Sequence, residues 1–217
     1  MNVVPTPSAL FRKFCSAVLA VVALTLAAAP LFAQANEADF DLFPNPKFVS
    51  CLGPNPQAHV KVTRGSLNDT MVITGSGFKP ELAFDLFTTQ RSNLLSNGTP
   101  NPNFTNFGLS WYQSDIEADT EGEINVKIQT ILLDQIFGFD ADVNATKFVN
   151  TFHVGFWFND PNDANVDGCV FDVTHPTPFN GEHKAGPNAM ISVPDVKTKL
   201  GPLCTNPSGG NPPSCNP

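Results

Sequence analysis

Asp163, Asn165 and Asp167 stand at alternate positions ahead of Gly168, in the stretch WFNDPNDANVDGC. Oxygen ligands at loop positions 1, 3 and 5 with glycine at 6 form the first half of a calcium loop of the helix-loop-helix kind. The second half departs from that template: position 9 is Phe171, and position 12, where a bidentate glutamate belongs, is Thr174. Asp160 and Asp172 are the carboxylates at hand to substitute, and weak extracellular calcium sites work at roughly 0.1–1 mM. The competing reading is a turn whose Asn and Asp side chains cap their own backbone. A second acidic run, Asp140, Asp142 and Asn144, poses the same choice. Calcium is the one cofactor these residues point to.

Other chemistry has less to work with. His175 and His183 share a stretch with Glu182, but their spacing matches no regular metal template. His153 falls inside a strand pattern and is expected against a sheet face. Gly75-Ser76-Gly77 lacks the pattern of a nucleophile elbow and reads as a turn. Asp115, Glu117, Asp119, Glu121 and Glu123 could pair as acid and base for sugar cleavage. Their period-two spacing into a turn is more simply a solvated strand face, where charge also discourages edge pairing. Trp111, Tyr112 and Trp157 are the aromatics able to serve a glycan, yet the aromatics as a set read as core. Tripeptides starting at Asn68, Asn97, Asn103 and Asn144 fit the N-glycosylation acceptor pattern.

The N-terminus frames all of this. Arg12 and Lys13 precede the apolar run 17–29, Pro30 breaks it, and Ala33-x-Ala35 follows. That order is a secretory signal peptide over residues 1–35, and its alanine-rich composition has a bacterial look. The run is too short for a membrane helix, which needs about 20 apolar residues. Without the leader, 182 of the 217 residues remain, with 10 basic side chains of the original 12 against all 20 acidic ones. A surface so negative repels nucleic acid and anionic membranes. Export would place the chain in the periplasm or outside the cell.

Cys15 leaves with the leader, and four cysteines remain: Cys51, Cys169, Cys204 and Cys215. An even number in an oxidising compartment points to two disulfides. The preferred pairing is Cys51 with Cys169 and Cys204 with Cys215; pairing of Cys51 with Cys204 stays open. No C-x-x-C pair favours zinc.

The remaining residues must position these groups. HVKVTR, DTMVITGSGF, ELAFDLFTTQ, GLSWYQSDIEA, EINVKIQTILL, NTFHVGFWFND, GCVFDVT and NAMISV alternate or cluster as short strands. Phe152, Val154, Phe156 and Phe158 share one face, with His153, Gly155 and Trp157 on the other. The sequence therefore predicts an all-β antiparallel sandwich of about 7–8 strands, with a barrel or jelly roll as the alternative. Three long loops, 91–107, 134–147 and 160–187, exceed what such a domain needs. The expected organisation is leader 1–35, Pro-rich extension 36–57, β-sandwich 58–200 and a Pro/Gly-rich tail 201–217. The prolines of the extension favour an extended, edge-like chain.

VITGSGFKP resembles the early strands of secreted bacterial immunoglobulin-like modules of the IPT/TIG and neocarzinostatin types, where a glycine pair ends a strand. IEADTEGEINVKI resembles their later hairpin, and the likeness covers Val60 to Val154. TPFNGEHKAGPNAMIS is similar to secreted bacterial proteins without an assigned activity. The resemblance implies an immunoglobulin-like fold and export, and no particular ligand. The expected function is a secreted binding or interaction module for a protein or glycan, non-enzymatic, with loop 160–187 as its recognition surface. The alternative is a secreted hydrolase of sugars or peptides with a carboxylate or metal-assisted site in that loop.

Overall fold

Alternation of apolar and polar side chains lays down the strands, and long-range pairing decides how they close. The computed structural model describes residues 37–131, 137–138, 149–150, 152–174, 185–210 and 215. The leader, the acidic run 140–144, and His175, Glu182 and His183 lie outside the described residues.

The elements in order are β1 (Glu37–Pro44), α1 (Val49–Leu52), β2 (Gln57–Thr63), β3 (Asn68–Ser76), β4 (Ala83–Thr89), β5 (Ser110–Glu117), β6 (Ile124–Ile131), β7 (Phe137–Gly138), β8 (Val149–Asn150), β9 (His153–Phe158), α2 (Asp163–Val166) and β10 (Asn188–Ile191). Eight of them form one antiparallel sheet in the order β5-β4-β9-β10-β1-β2-β3-β6, and β7 pairs with β8 separately. The terminal strands β5 and β6 come into contact, so the sheet is nearly closed and barrel-like. The fold is all-β, as the alternation predicts.

β1 is the hinge of the closure. Residues 37–42 pair with β2, and Phe43 and Pro44 pair with β10. This is a departure from the edge-like extension expected for 36–57: β1 lies in the interior of the sheet. Ala38, Phe40 and Leu42 turn inward, while Glu37, Asp39 and Asp41 stay on the outer face. Pro44 is tolerated because it falls at the strand's last residue. The stretch GCVFDVT differs from expectation too, since no described residue of it belongs to a strand. The amide of Asn165 takes both backbone groups of Phe171, accepting its N–H at 2.7 Å and donating to its C=O at 2.9 Å. A residue so occupied has nothing left for a ladder.

The barrel is filled by Val60 and Val62 from β2, Met71 and Ile73 from β3, Phe84 and Leu86 from β4, and Phe156 and Phe158 from β9. Phe84 and Phe156 lie tilted against each other with centroids 4.6 Å apart, and Phe78 meets Phe84 edge-on at 5.7 Å and Phe156 at 6.1 Å. All six residues of β9 are buried, because a second, smaller apolar layer of Phe87, Leu94, Trp157 and Ile191 covers its outer face. The tail docks as well. Arg64, beside the fully buried Asp69 at 3.7 Å, donates to the Leu203 carbonyl at 2.8 Å. The two disulfides are Cys51–Cys169 and Cys204–Cys215. No described helix is long and apolar enough to cross a membrane.

Trp111 and Tyr112 do not join the core as expected; they are 45% and 49% exposed on β5. Tyr112 donates to the Asp115 carboxylate at 2.8 Å. Partial burial, this hydrogen bond and the Asp115 and Asp85 charges push its pKa from 10 up to about 12. It is the only tyrosine in the chain. Titration of phenolate absorbance should therefore show one transition near pH 12, moving back toward 10 in Asp115→Asn; a wild-type midpoint at 10 would contradict the contact.

Candidate functional site

Loop 91–107 walls a cleft, and its asparagines build it. The Oδ1 of Asn97 accepts the Thr99 N–H at 3.1 Å and the Thr99 hydroxyl at 2.7 Å. Asn101 does the same for the Asn103 N–H at 3.0 Å, and Asn106 for the Gly108 N–H at 3.0 Å. Such side chains mimic a backbone turn and tighten the chain locally. Backbone bonds then close the loop: Leu95 N–H to Thr99 C=O at 2.8 Å, Asn101 N–H to Asn93 C=O at 2.9 Å, and Arg91 N–H to Phe107 C=O at 2.9 Å. Gly98 takes φ +79°, and Phe43 packs so closely that an added Cβ would lie 3.1 Å from its ring.

The loop is fastened to the barrel by its apolar residues. Leu94 is buried beside Trp157, and the Phe107 ring meets the Trp157 ring edge-on at 4.9 Å. Phe104 in turn meets Phe107 at 4.7 Å. Asn93 donates to the Asn188 side chain at 3.2 Å. Across from the loop, Asp195 accepts the N–H groups of Lys197 and Thr198 at 2.9 and 2.7 Å, which holds its carboxyl below the usual range. That turn presents Lys199 in a left-handed conformation, φ +61°. Between the loop and the turn lies a cleft of about 690 Å³, within the range of small-molecule sites. Arg91, Asn97, Asn101, Phe104, Val196 and Lys199 are among its walls, and His153 lies at its base.

His153 is 3% exposed, its Nδ1 3.0 Å from the Ser192 hydroxyl and 3.1 Å from the Ser192 carbonyl. That hydroxyl also accepts the Val154 N–H at 3.2 Å, so the pair ties β9 to the chain after β10. Burial pushes the His153 pKa from 6.5 down to about 4, against the pull of the Ser192 carbonyl. The unfolded chain takes up a proton near pH 6.5 while the folded one refuses it until about pH 4. Stability is thus full above pH 7 and falls as pH drops through this window, by about 2 kcal/mol at pH 5. Urea unfolding at pH 7 and pH 5 should show that loss, and His153→Gln should remove it; an equal slope in the variant would contradict the assignment.

The calcium candidates are brought close but turned to separate tasks. Asp163 opens α2 and accepts the Asp160 N–H at 3.1 Å. Asn165 clamps Phe171. Asp167 pairs with Lys79 at 3.0 Å. Burial, with the nearby charges of Asp160 and Asp167, raises the pKa of Asp163. Among the described residues no group of three His, Cys, Asp or Glu side chains is placed to hold a metal. Ser76 ends β3 and Gly77 turns at φ +74°, in line with the turn reading. Asp119 caps the β5–β6 turn by accepting the N–H groups of Glu121 and Glu123. The described residues of loop 160–187 supply none of the cleft's lining. The cleft's asparagines, Asn97, Asn101 and Asn103, stand within SNGTPNPNFT, where the sequence by itself shows only a glycosylation pattern.

No protein-family model, characterised protein or solved structure matches the chain.

Proposed function

We propose that the protein is an exported binding module that captures a polar ligand in the cleft between loop 91–107 and the 194–199 turn. The observation that carries this reading is the cleft itself: a long loop, self-capped by asparagines and anchored on Trp157, around a space of about 690 Å³. Preorganised walls of this kind favour binding, because little ordering remains to be done when the ligand arrives. Two disulfides support an oxidising compartment, and with it the secretory reading of the leader. The way β1 passes from β2 to β10 supports a strongly bent, immunoglobulin-like sandwich as the parent of the barrel.

A thermal-shift screen of small polar compounds and oligosaccharides, followed by amide chemical-shift mapping, tests the proposal. Hits should move the resonances of Asn97, Asn101, Asn103 and Lys199. Hits that map instead to β5 or to residues 160–174 would overturn it. Turnover in a hydrolase panel that is lost in Asp167→Ala would favour the hydrolase alternative.

A further inference from the structure

We infer that the cleft takes an acidic oligosaccharide, a chain of sugar rings carrying carboxylates; this rests on the cleft being the binding site. The reason is an excess of donors over acceptors. A backbone N–H only donates, so the amide oxygens of Asn97 and Asn101 must face the groups they cap. Gln90 spends its Oε1 on the Leu109 N–H at 3.4 Å, and Ser92 its hydroxyl oxygen on the Leu94 N–H at 3.1 Å. The fold thus occupies the side-chain oxygens of Asn97, Asn101, Gln90 and Ser92 as acceptors, while among the described residues those of Asn103 and Ser96 stay open. The NH₂ ends of Asn97, Asn101 and Gln90 are left without a protein partner among the described residues, and all three residues line the cleft.

Two cations join those donors. Three described cations meet carboxylates, Lys61 with Glu37 at 3.2 Å, Arg64 with Asp69 at 3.7 Å and Lys79 with Asp167 at 3.0 Å, and Lys47 lies over the Phe48 ring; none of these lines the cleft. Arg91, which donates to the Asn106 side chain, and Lys199 have no carboxylate partner among the described residues, and no described carboxylate lines the cleft. In a chain of net charge −8, a pocket of opposite sign selects anions. Hydrogen bonds from a cation or amide to a carboxylate are also the stronger kind. Lys199 holds a left-handed backbone that lysine rarely adopts, fixed by its N–H on the Asp195 carbonyl at 3.0 Å, so the side chain leaves the turn at a set angle. Phe104, Leu95 and Val196 supply apolar wall for the C–H faces of sugar rings. A bare phosphate or sulfate would engage the donors and leave that wall uncovered.

The test is calorimetric titration of the protein with a galacturonic acid trisaccharide, its neutral galactose counterpart, and sodium sulfate at matched ionic strength. The acidic sugar should bind at least tenfold more tightly than the neutral one, weaken as salt rises, and lose about tenfold in Lys199→Gly. Glycine suits φ +61°, so that variant keeps its fold; Lys199→Arg should recover most of the affinity. Equal binding of acidic and neutral sugars in the cleft, or no loss in Lys199→Gly, would overturn the inference and leave the cleft standing as a binding site. Sulfate displacing the trisaccharide completely would overturn the saccharide class. Failure of every sugar to bind the cleft would overturn the inference, and chemical-shift mapping of other hits then decides the site by itself.

Discussion

Replacing Cys51 and Cys169 together by alanine is expected to cost about 5 kcal/mol of stability, while the same change at Cys204 and Cys215 costs about 3 kcal/mol or less. The difference follows from the sequence separations, 118 and 11 residues. A cross-link removes conformations from the unfolded chain, and a longer closed loop removes more of them. The longer bridge also has more to hold. Cys51 sits in α1, only four residues long, too short to persist without tertiary support. Its sulfur lies against the Phe48 carbonyl at 3.0 Å, and Phe48 packs edge-on against Phe158 and Phe171 at 6.2 Å. Cutting the bridge therefore loosens one wall of the main core together with the base of loop 160–187. Urea unfolding of the two double variants measures both costs. Equal losses would mean that the unfolded chain is not the state the long bridge constrains.

Both pairings were legible because the cysteines left few choices and the Pro/Gly tail closes easily on itself. β9 was legible for a different reason: Val154, Phe156 and Phe158 against His153, Gly155 and Trp157 is a pattern that only extended chain can sort into two faces. Closure into a barrel was not legible. The alternation of β1 is the same whether it ends a sheet or bridges β2 and β10, and only Phe43 and Pro44 meeting Ile191 and Met190 distinguishes the two. Cys169, Phe171 and Val173 also alternate like a strand, but Asn165, four to eight residues earlier, captures the backbone they would need. That competition between a side chain and a ladder is decided by local geometry. The cleft is hidden in the sequence in the same way. Asn97, Asn101 and Asn106 carry a turn-forming signal each, yet nothing in the spacing says that the first two line a cleft with Lys199.

Phe156→Ala and Trp157→Ala should each destabilise the protein by about 3–5 kcal/mol, and they should fail differently. The two residues are neighbours on β9, both fully buried, on opposite faces of the sheet. Phe156 fills the barrel between Phe84 and Phe78. Its loss leaves a cavity in the main core, lowering the midpoint of thermal unfolding by on the order of 10 °C, while the variant that remains folded keeps loop 91–107 in place. Trp157 has Phe87 on one side at 5.3 Å and Phe107 on the other at 4.9 Å. Its loss removes the surface on which the loop rests. Amide exchange at Leu94 to Phe107 should then accelerate well below the global unfolding transition, and binding in the cleft should fall with it. Phe156→Ala should leave that exchange tied to global unfolding. If both variants release the loop together, barrel and loop are one cooperative unit, and the cleft's walls depend on the inner core as directly as on the outer aromatic layer.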